Sequence, residues 1–261
     1  MENEIKILAV HKIKTKYKVT TEEDEYLLDE DVVIKYLIFK DKIFSKEEFK
    51  KILIEQTKSA AFTKVLQYLK YGPRSEWEIS NYLQDQSTWP HVRKRLVELN
   101  YLDDARYAQT MLDYYQRNNK GPRFIQQKLL EKKVNISLID EVLLTYSKES
   151  QLEIIENIVL KEKNFLSTKP LLKQKQLLTT KLLHAGFLLQ DINTVINNTS
   201  FIDDSQKELE KTYQKLLNKF SNYNINENEK NKRIMQTLLS KGYNYARIEK
   251  IIKIKEDINE I

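Results

Sequence analysis

Three segments of the chain can be laid over one another without a gap: LLEKKVNISLIDEVL around Lys133, LLHAGFLLQDINTVI around Gly186 and LLSKGYNYARIEKII around Gly242. Each has Leu-Leu four and three residues before the central position and a large apolar residue one after it. Each then has Ile at +6, a β-branched residue at +9 and Leu or Ile at +10. These are Leu129, Leu130, Val134, Ile139, Val142 and Leu143 in the first copy. They are Leu182, Leu183, Phe187, Ile192, Val195 and Ile196 in the second, and Leu238, Leu239, Tyr243, Ile248, Ile251 and Ile252 in the third. The spacing describes a helix that ends at a left-handed residue, glycine in two of the copies. A second helix then returns its apolar face at +6, +9 and +10 onto the first.

A longer helical pattern precedes each pair, at about 103–118, 149–164 and 204–220, so the repeating unit is three helices. A weaker copy comes before them, with helices near 60–71, 75–85 and 89–100. It keeps Leu83, Val92 and Leu96 but lacks the glycine. With four glycines and four prolines in 261 residues, the chain has little turn material, which favours long helices over many strands.

The first part reads differently. Ile5, Ile7, Ala9, His11 and Ile13 alternate, as does Tyr17-Lys18-Val19, which predicts a short β-hairpin. Tyr26-Leu27-Leu28 is a candidate third strand, and three acids open a helix in DEDVVIKYLIF. Ser45 with Glu48, and Ser75 with Glu78, have capping-box spacing. The predicted fold is mainly α: tandem three-helix repeats in an elongated curved array, with a small N-terminal β-hairpin/helix segment. The divisions fall at 1–57, then at repeats 58–102, 103–148, 149–199 and 200–261.

The absence of cysteine removes disulfides and thiolate chemistry and fits a reducing compartment. MENEIKILAV is acidic where a signal peptide is basic, and no apolar run is long enough to span a bilayer, so a soluble, cytoplasmic chain is expected. His11, His91 and His184 stand in no ligand spacing, and the glycines punctuate helices rather than build a phosphate loop.

Two adjacent aspartates, Asp103 and Asp104 in YLDD, invite an acid–base reading. FIDD at 201–204 repeats them at the next but one seam between three-helix units. Aspartate at such a seam caps free helix N–H groups, and this is the expected role. A catalytic pair remains the alternative, and no other enzyme motif accompanies it.

Charge is uneven. Residues 1–57 carry 11 basic and 13 acidic side chains, whereas residues 58–133 carry 14 basic and 8 acidic. Six of the eight arginines lie in that middle segment, where an anionic partner is therefore expected. The candidate contacts are Arg74, Arg93, Arg95, Arg106, Arg117, Lys120, Arg123, Lys128, Lys132 and Lys133. Arg93-Lys94-Arg95 spreads around its helix and cannot face one partner as a block. Tyr107 and Tyr114, a heptad apart with Met111 between them, are expected in the core. Lys120 and Arg123 flank a helix start at Gly121-Pro122, whose free N–H groups would add to the attraction for an anion.

The stretches YGPRSEWEISNYL and YLDDARYAQTMLDYYQRNNKGPRFIQQKLLEKKV resemble the RecX family of regulators of the RecA recombinase. The family's Arg-Ser-x-x-Glu corresponds to Arg74, Ser75 and Glu78. Its Tyr-Leu-Asp-Asp-x-x-Tyr-Ala seam corresponds to Tyr101, Leu102, Asp103, Asp104, Tyr107 and Ala108. Its basic-Gly-x-x-x-Ile-x-x-x-Leu corresponds to Lys120, Gly121, Ile125 and Leu129. The match is strongest over 60–146. It departs at Lys133, where a small residue is usual, and in an acidic N-terminal hairpin. The resemblance implies a non-enzymatic protein that binds RecA filaments on single-stranded DNA, with auxiliary DNA contacts, and that modulates and usually inhibits the recombinase. A cofactor-free monomer with no membrane partner is expected. A direct DNA- or RNA-binding repeat protein without a recombinase partner is the alternative.

Overall fold

The computed structural model describes residues 4–223 and 225–259. Four antiparallel strands open the chain: β1 (Glu4–Ile13), β2 (Lys16–Thr21), β3 (Glu25–Asp29) and β4 (Ile43–Ser45), in the order β3-β2-β1-β4. The hairpin and the third strand match the sequence reading, and β4 is an addition to it. The alternation of β1 does not run through. A bulge between Ile7 and Ala9 shifts its phase, so Ile5 and Ile7 are buried, Val10 packs on the core, and Ile13 is 45% exposed. The sheet's inner face packs with α1 (Glu30–Lys35) and Phe49 and Ile52 of α2 (Lys46–Leu69).

The helix opened by the Ser45–Glu48 capping box and the one read near 60–71 are one element. α2 starts at the Ser45–Glu48 capping box and runs 24 residues without a break. Its last turns, with Phe62 and Val65, join α3 (Glu76–Tyr82) and α4 (Trp89–Glu98) around Ile79, Leu83, Val92 and Leu96. There follow α5 (Asp104–Arg117), α6 (Pro122–Glu131) and α7 (Ile136–Leu144). Next come α8 (Lys148–Leu166), α9 (Leu171–His184) and α10 (Leu189–Asn198), and then α11 (Gln206–Ser221), α12 (Glu227–Ser240) and α13 (Tyr245–Asn259). The fold is therefore mainly α, in tandem three-helix repeats behind a small sheet. Among the described residues, no helix is long and apolar enough to cross a membrane.

The repeated motif is a repeated turn. Lys133, Gly186 and Gly242 have φ of 56°, 91° and 91°. In each copy the N–H of this residue donates to the carbonyl of the second leucine, and the next N–H donates to that of the first. The pairs are Lys133 to Leu130 and Val134 to Leu129, then Gly186 to Leu183 and Phe187 to Leu182, then Gly242 to Leu239 and Tyr243 to Leu238. This Schellman pairing fixes which leucine turns inward. The first is buried in every copy, while Leu130, Leu183 and Leu239 remain 44%, 41% and 39% exposed. Burying each inward leucine contributes about 1.5–3 kcal/mol.

The chain divides into two compact units, residues 1–110 with 129–139, and residues 111–128 with 140–261. Within each, the start of a middle helix meets the turn of the following repeat. In the first unit the Ser75 hydroxyl, before α3, donates to the Lys132 carbonyl at 2.9 Å. In the second, Gly121 N–H donates to Ala185 O at 2.7 Å and Arg123 N–H to Gly186 O at 3.1 Å. Backbone crosses backbone there: a Cβ on Gly121 would lie 2.5 Å from Gly186 C, and one on Gly186 would lie 2.4 Å from Phe124 N. Only glycine fits at either place.

Candidate partner-binding surface

The paired aspartates are caps. Asp103 precedes α5 and accepts from the Arg106 N–H at 2.9 Å, as the sequence reading expects. Asp104 does something that reading does not contain: it reaches another helix and accepts from Glu76 N–H, the first of α3, at 2.8 Å. In FIDD one residue reaches both ways, although Ser205 and not Asp203 is the N-cap of α11 (Gln206–Ser221). Asp203 accepts from Ser205 N–H at 3.1 Å and from Leu171 N–H, the first of α9, at 3.2 Å.

In the first unit half of the candidate cations, Arg93, Arg95 and Lys132, already have acidic partners. Arg93 grips Glu76 with two hydrogen bonds (2.6 and 3.1 Å), Lys94 faces Glu98 at 3.9 Å, and Arg95 reaches Asp31 at 3.3 Å while lying over the Phe62 ring. The block is spread over three acids, as its position around a helix requires. Lys132 donates to Glu78 at 2.6 Å, and the same carboxylate accepts from Ser75 N–H and the Tyr107 hydroxyl. Burial pushes the Glu78 carboxyl up, but Lys132 and the Ser75 backbone outweigh it and hold it below the usual range. Lys132 is thus part of the scaffold, and exposed Lys133 makes the left-handed turn. Arg74 and Arg106 line one cleft of about 190 Å³.

In the second unit the candidate cations gather around aromatic rings. Lys120 and Lys128 lie over Phe124, with Nζ 4.9 and 5.7 Å from its centroid. Phe124 meets Tyr115 edge-on at 5.3 Å, and Tyr115 meets Tyr114 edge-on at 5.2 Å. Arg117 and Arg123 are exposed on the same two helices. Tyr107 is buried as expected, but Tyr114 is not in the core. It is 56% exposed, because the buried stripe of α5 runs through Ala108 and Leu112 with Tyr107 at its edge, and Tyr114 lies just beyond that edge on the side away from them. Its side chain belongs to the basic-aromatic surface, and alternating exposed aromatics and cations were the signal for it.

The expected free N–H groups at the α6 start are not free. Pro122 has none, and those of Gly121 and Arg123 are taken by Ala185 and Gly186. The Tyr146 hydroxyl, which burial pushes up to about 12, donates to the Lys120 carbonyl and further fixes this junction. A cleft of about 320 Å³ nearby is lined by Lys120, Lys161, Lys181 and His184. The ends of α5 and α9 point into it, so their negative dipole ends account for cations there without a ligand. No cluster of histidine and carboxylate side chains that could hold a metal is present among the described residues.

The fold places the chain in a class: tandem three-helix-repeat proteins with a small N-terminal sheet. The family described as "RecX, second three-helix domain" matches residues 103–143. Over 264 residues the chain is 30% identical to the regulatory protein RecX of Streptococcus agalactiae serotype V, covering 95% of this chain and 99% of that one. It is 26% identical to the regulatory protein RecX of Listeria welshimeri, covering 96% of both. A solved structure titled "Crystal structure of regulatory protein RecX" superposes with a TM-score of 0.62 at 23% identity, covering 76% of this chain and all of that one. The chain belongs to the RecX family of regulatory proteins.

Proposed function

We propose that this chain is a non-enzymatic regulator that binds RecA filaments on single-stranded DNA and inhibits the recombinase during recombination and DNA repair. Its family membership supports the regulatory role. The observation that carries a nucleoprotein partner is the surface of α5 and α6, where Lys120 and Lys128 lie over Phe124, Tyr115 and Tyr114 continue the row of rings, and Arg117 and Arg123 are exposed on the same two helices. Cations track a phosphate backbone, and an exposed ring offers a base a stacking face. The aspartate pair is occupied with backbone N–H groups, so it supports no catalytic reading.

Fluorescence anisotropy with labelled single-stranded DNA, bare and coated with RecA and a slowly hydrolysed ATP analogue at one salt concentration, tests this. Tighter binding to the coated strand is expected, with a fall in RecA ATPase on titration. Charge reversal of Lys120 and Arg123 together should weaken it. Equal or tighter binding to bare DNA would favour a plain nucleic-acid-binding protein.

A further inference from the structure

Among the described residues, Arg95, Arg233 and Arg247 are half-buried arginines, and each hydrogen-bonds to a carboxylate. Arg74 is half-buried too, and none of its donors has a hydrogen-bond partner. Its Nε is fully buried and unmatched. The guanidinium is not loose, because it lies 4.7 Å over the Tyr68 ring, which stacks on Tyr82 at 4.1 Å and 8°. A cation fixed on an aromatic face with unmatched donors is a prepared binding group.

Arg74 lines the cleft of about 190 Å³ together with Leu69, Pro73, Tyr101 and Tyr107, and Arg106 stands on the same wall. Gly72 borders it with φ of 133° and open space where a Cβ would be. Its lining is apolar and aromatic on one part and polar on the other, where Asp103 and Thr110 join one fixed guanidinium and a second whose NH2 group donates to the Asn100 carbonyl. Such a cleft suits a short apolar stem ending in a planar anion. Acidic groups restrict which anion. Asp103 lines the cleft, and the Tyr107 hydroxyl donates to the Glu78 carboxylate behind it. A run of phosphodiesters would lay successive charges against these carboxylates, whereas one isolated carboxylate would not.

We propose that this cleft receives a single glutamate or aspartate side chain of a protein partner, with Arg74 as the fork that holds it. The inference rests on the reading that the partner is a protein, but its test uses this chain alone.

The experiment follows the Arg74 Nε–H cross-peak of the full chain, assigned with Arg74→Lys, by ¹H–¹⁵N correlation. The probes are Ac-Ala-Glu-Ala-NH2, its Gln counterpart and oligo(dT). Saturable movement with the Glu peptide and none with the Gln peptide is expected; in Arg74→Lys, which keeps the charge but loses the fork, affinity for the Glu peptide, read there from the Tyr101 and Asp103 backbone amide cross-peaks, falls about tenfold. A cross-peak that ignores the Glu peptide overturns the proposal. So does one that moves more with oligo(dT), which would make the cleft a phosphate site. If Arg74→Lys fails to fold, Arg74→Gln supplies the assignment, and the peptide titration of the natural chain still decides. Loss of RecA-filament binding with an intact peptide response would remove the function proposed above and leave this site standing.

Discussion

YLDD at 101–104 and FIDD at 201–204 look like two copies of one device, yet they are built oppositely. In the first, the work is divided: Asp103 caps its own helix and Asp104 caps α3. Asp104 is half-buried beside Glu76 and Asp103. Burial first, and these two charges with it, raise its carboxyl above the ordinary value despite the bond from the Glu76 N–H. In the second, Asp203 accepts from Ser205 N–H in the turn before α11, caps α9 through Leu171 N–H and also holds Arg247 at 2.9 Å. Burial pushes its carboxyl up, but the Ser205 hydroxyl and N–H, the Leu171 N–H and Arg247 outweigh it, so it ends lowered. The difference teaches that a cap's contribution depends on the charges around it as much as on the bond itself.

The largest expected effect comes from truncation. Asp203→Ala frees two backbone N–H groups and strips Arg247 of its acid, and should cost about 2–3 kcal/mol in urea unfolding. Asp104→Ala frees one N–H and also relieves a repulsion, and should cost at most about 1 kcal/mol. Hydrogen exchange locates the two losses, at the Leu171 amide in one variant and the Glu76 amide in the other. Equal costs would show that the surrounding charges do not matter.

How much of this was legible beforehand depends on the range of each interaction. The turns at Lys133, Gly186 and Gly242, and both capping boxes, are complete within a few residues, and the sequence pattern reads them correctly. The bond from Glu76 N–H to Asp104 spans 28 residues and that from Lys132 to Glu78 spans 54, and no periodicity reports either. For the same reason Lys132, Arg93 and Arg95 read as free cations until their acids are placed. Tyr114 failed differently, because heptad spacing keeps it near the direction of Tyr107 but Tyr107 itself stands at the edge of the stripe that Ala108 and Leu112 centre, so a small rotation takes Tyr114 out of it. The N–H groups at the α6 start were counted as free because Ala185 and Gly186, which accept from them, lie in another repeat.

A pH series sharpens the comparison with a smaller effect. Asp203 has a folded value below the unfolded one of about 3.9, so its contribution is complete above that value and is lost as pH falls through the folded one. Asp104 has a folded value above the unfolded one, so its penalty is complete at neutral pH and fades as pH falls through the folded value. Carboxyl ¹³C titrations should therefore find Asp104 above and Asp203 below the ordinary range. Arg247→Met should move Asp203 upward, toward Asp104, because one of the interactions that favour its ionised form is gone. An unmoved Asp203 would assign its depression to the backbone and Ser205 alone.

The smallest effect is expected for Asp104→Asn, and it is informative for that reason. Asparagine's carbonyl oxygen can accept from Glu76 N–H as the carboxylate does, so the cap persists. The substitution deletes the charge that Glu76 and Asp103 oppose. Stability at neutral pH should stay within about 0.5 kcal/mol of the natural chain, on the stabilising side. Binding to the RecA-coated strand should be unchanged, because the carboxylate's charge serves no partner. A stable Asp104→Asn protein that binds the filament but has lost its effect on the recombinase would restore a chemical role to this aspartate. A destabilised one would mean that the charge strengthens the bond to α3 by more than its neighbours weaken it.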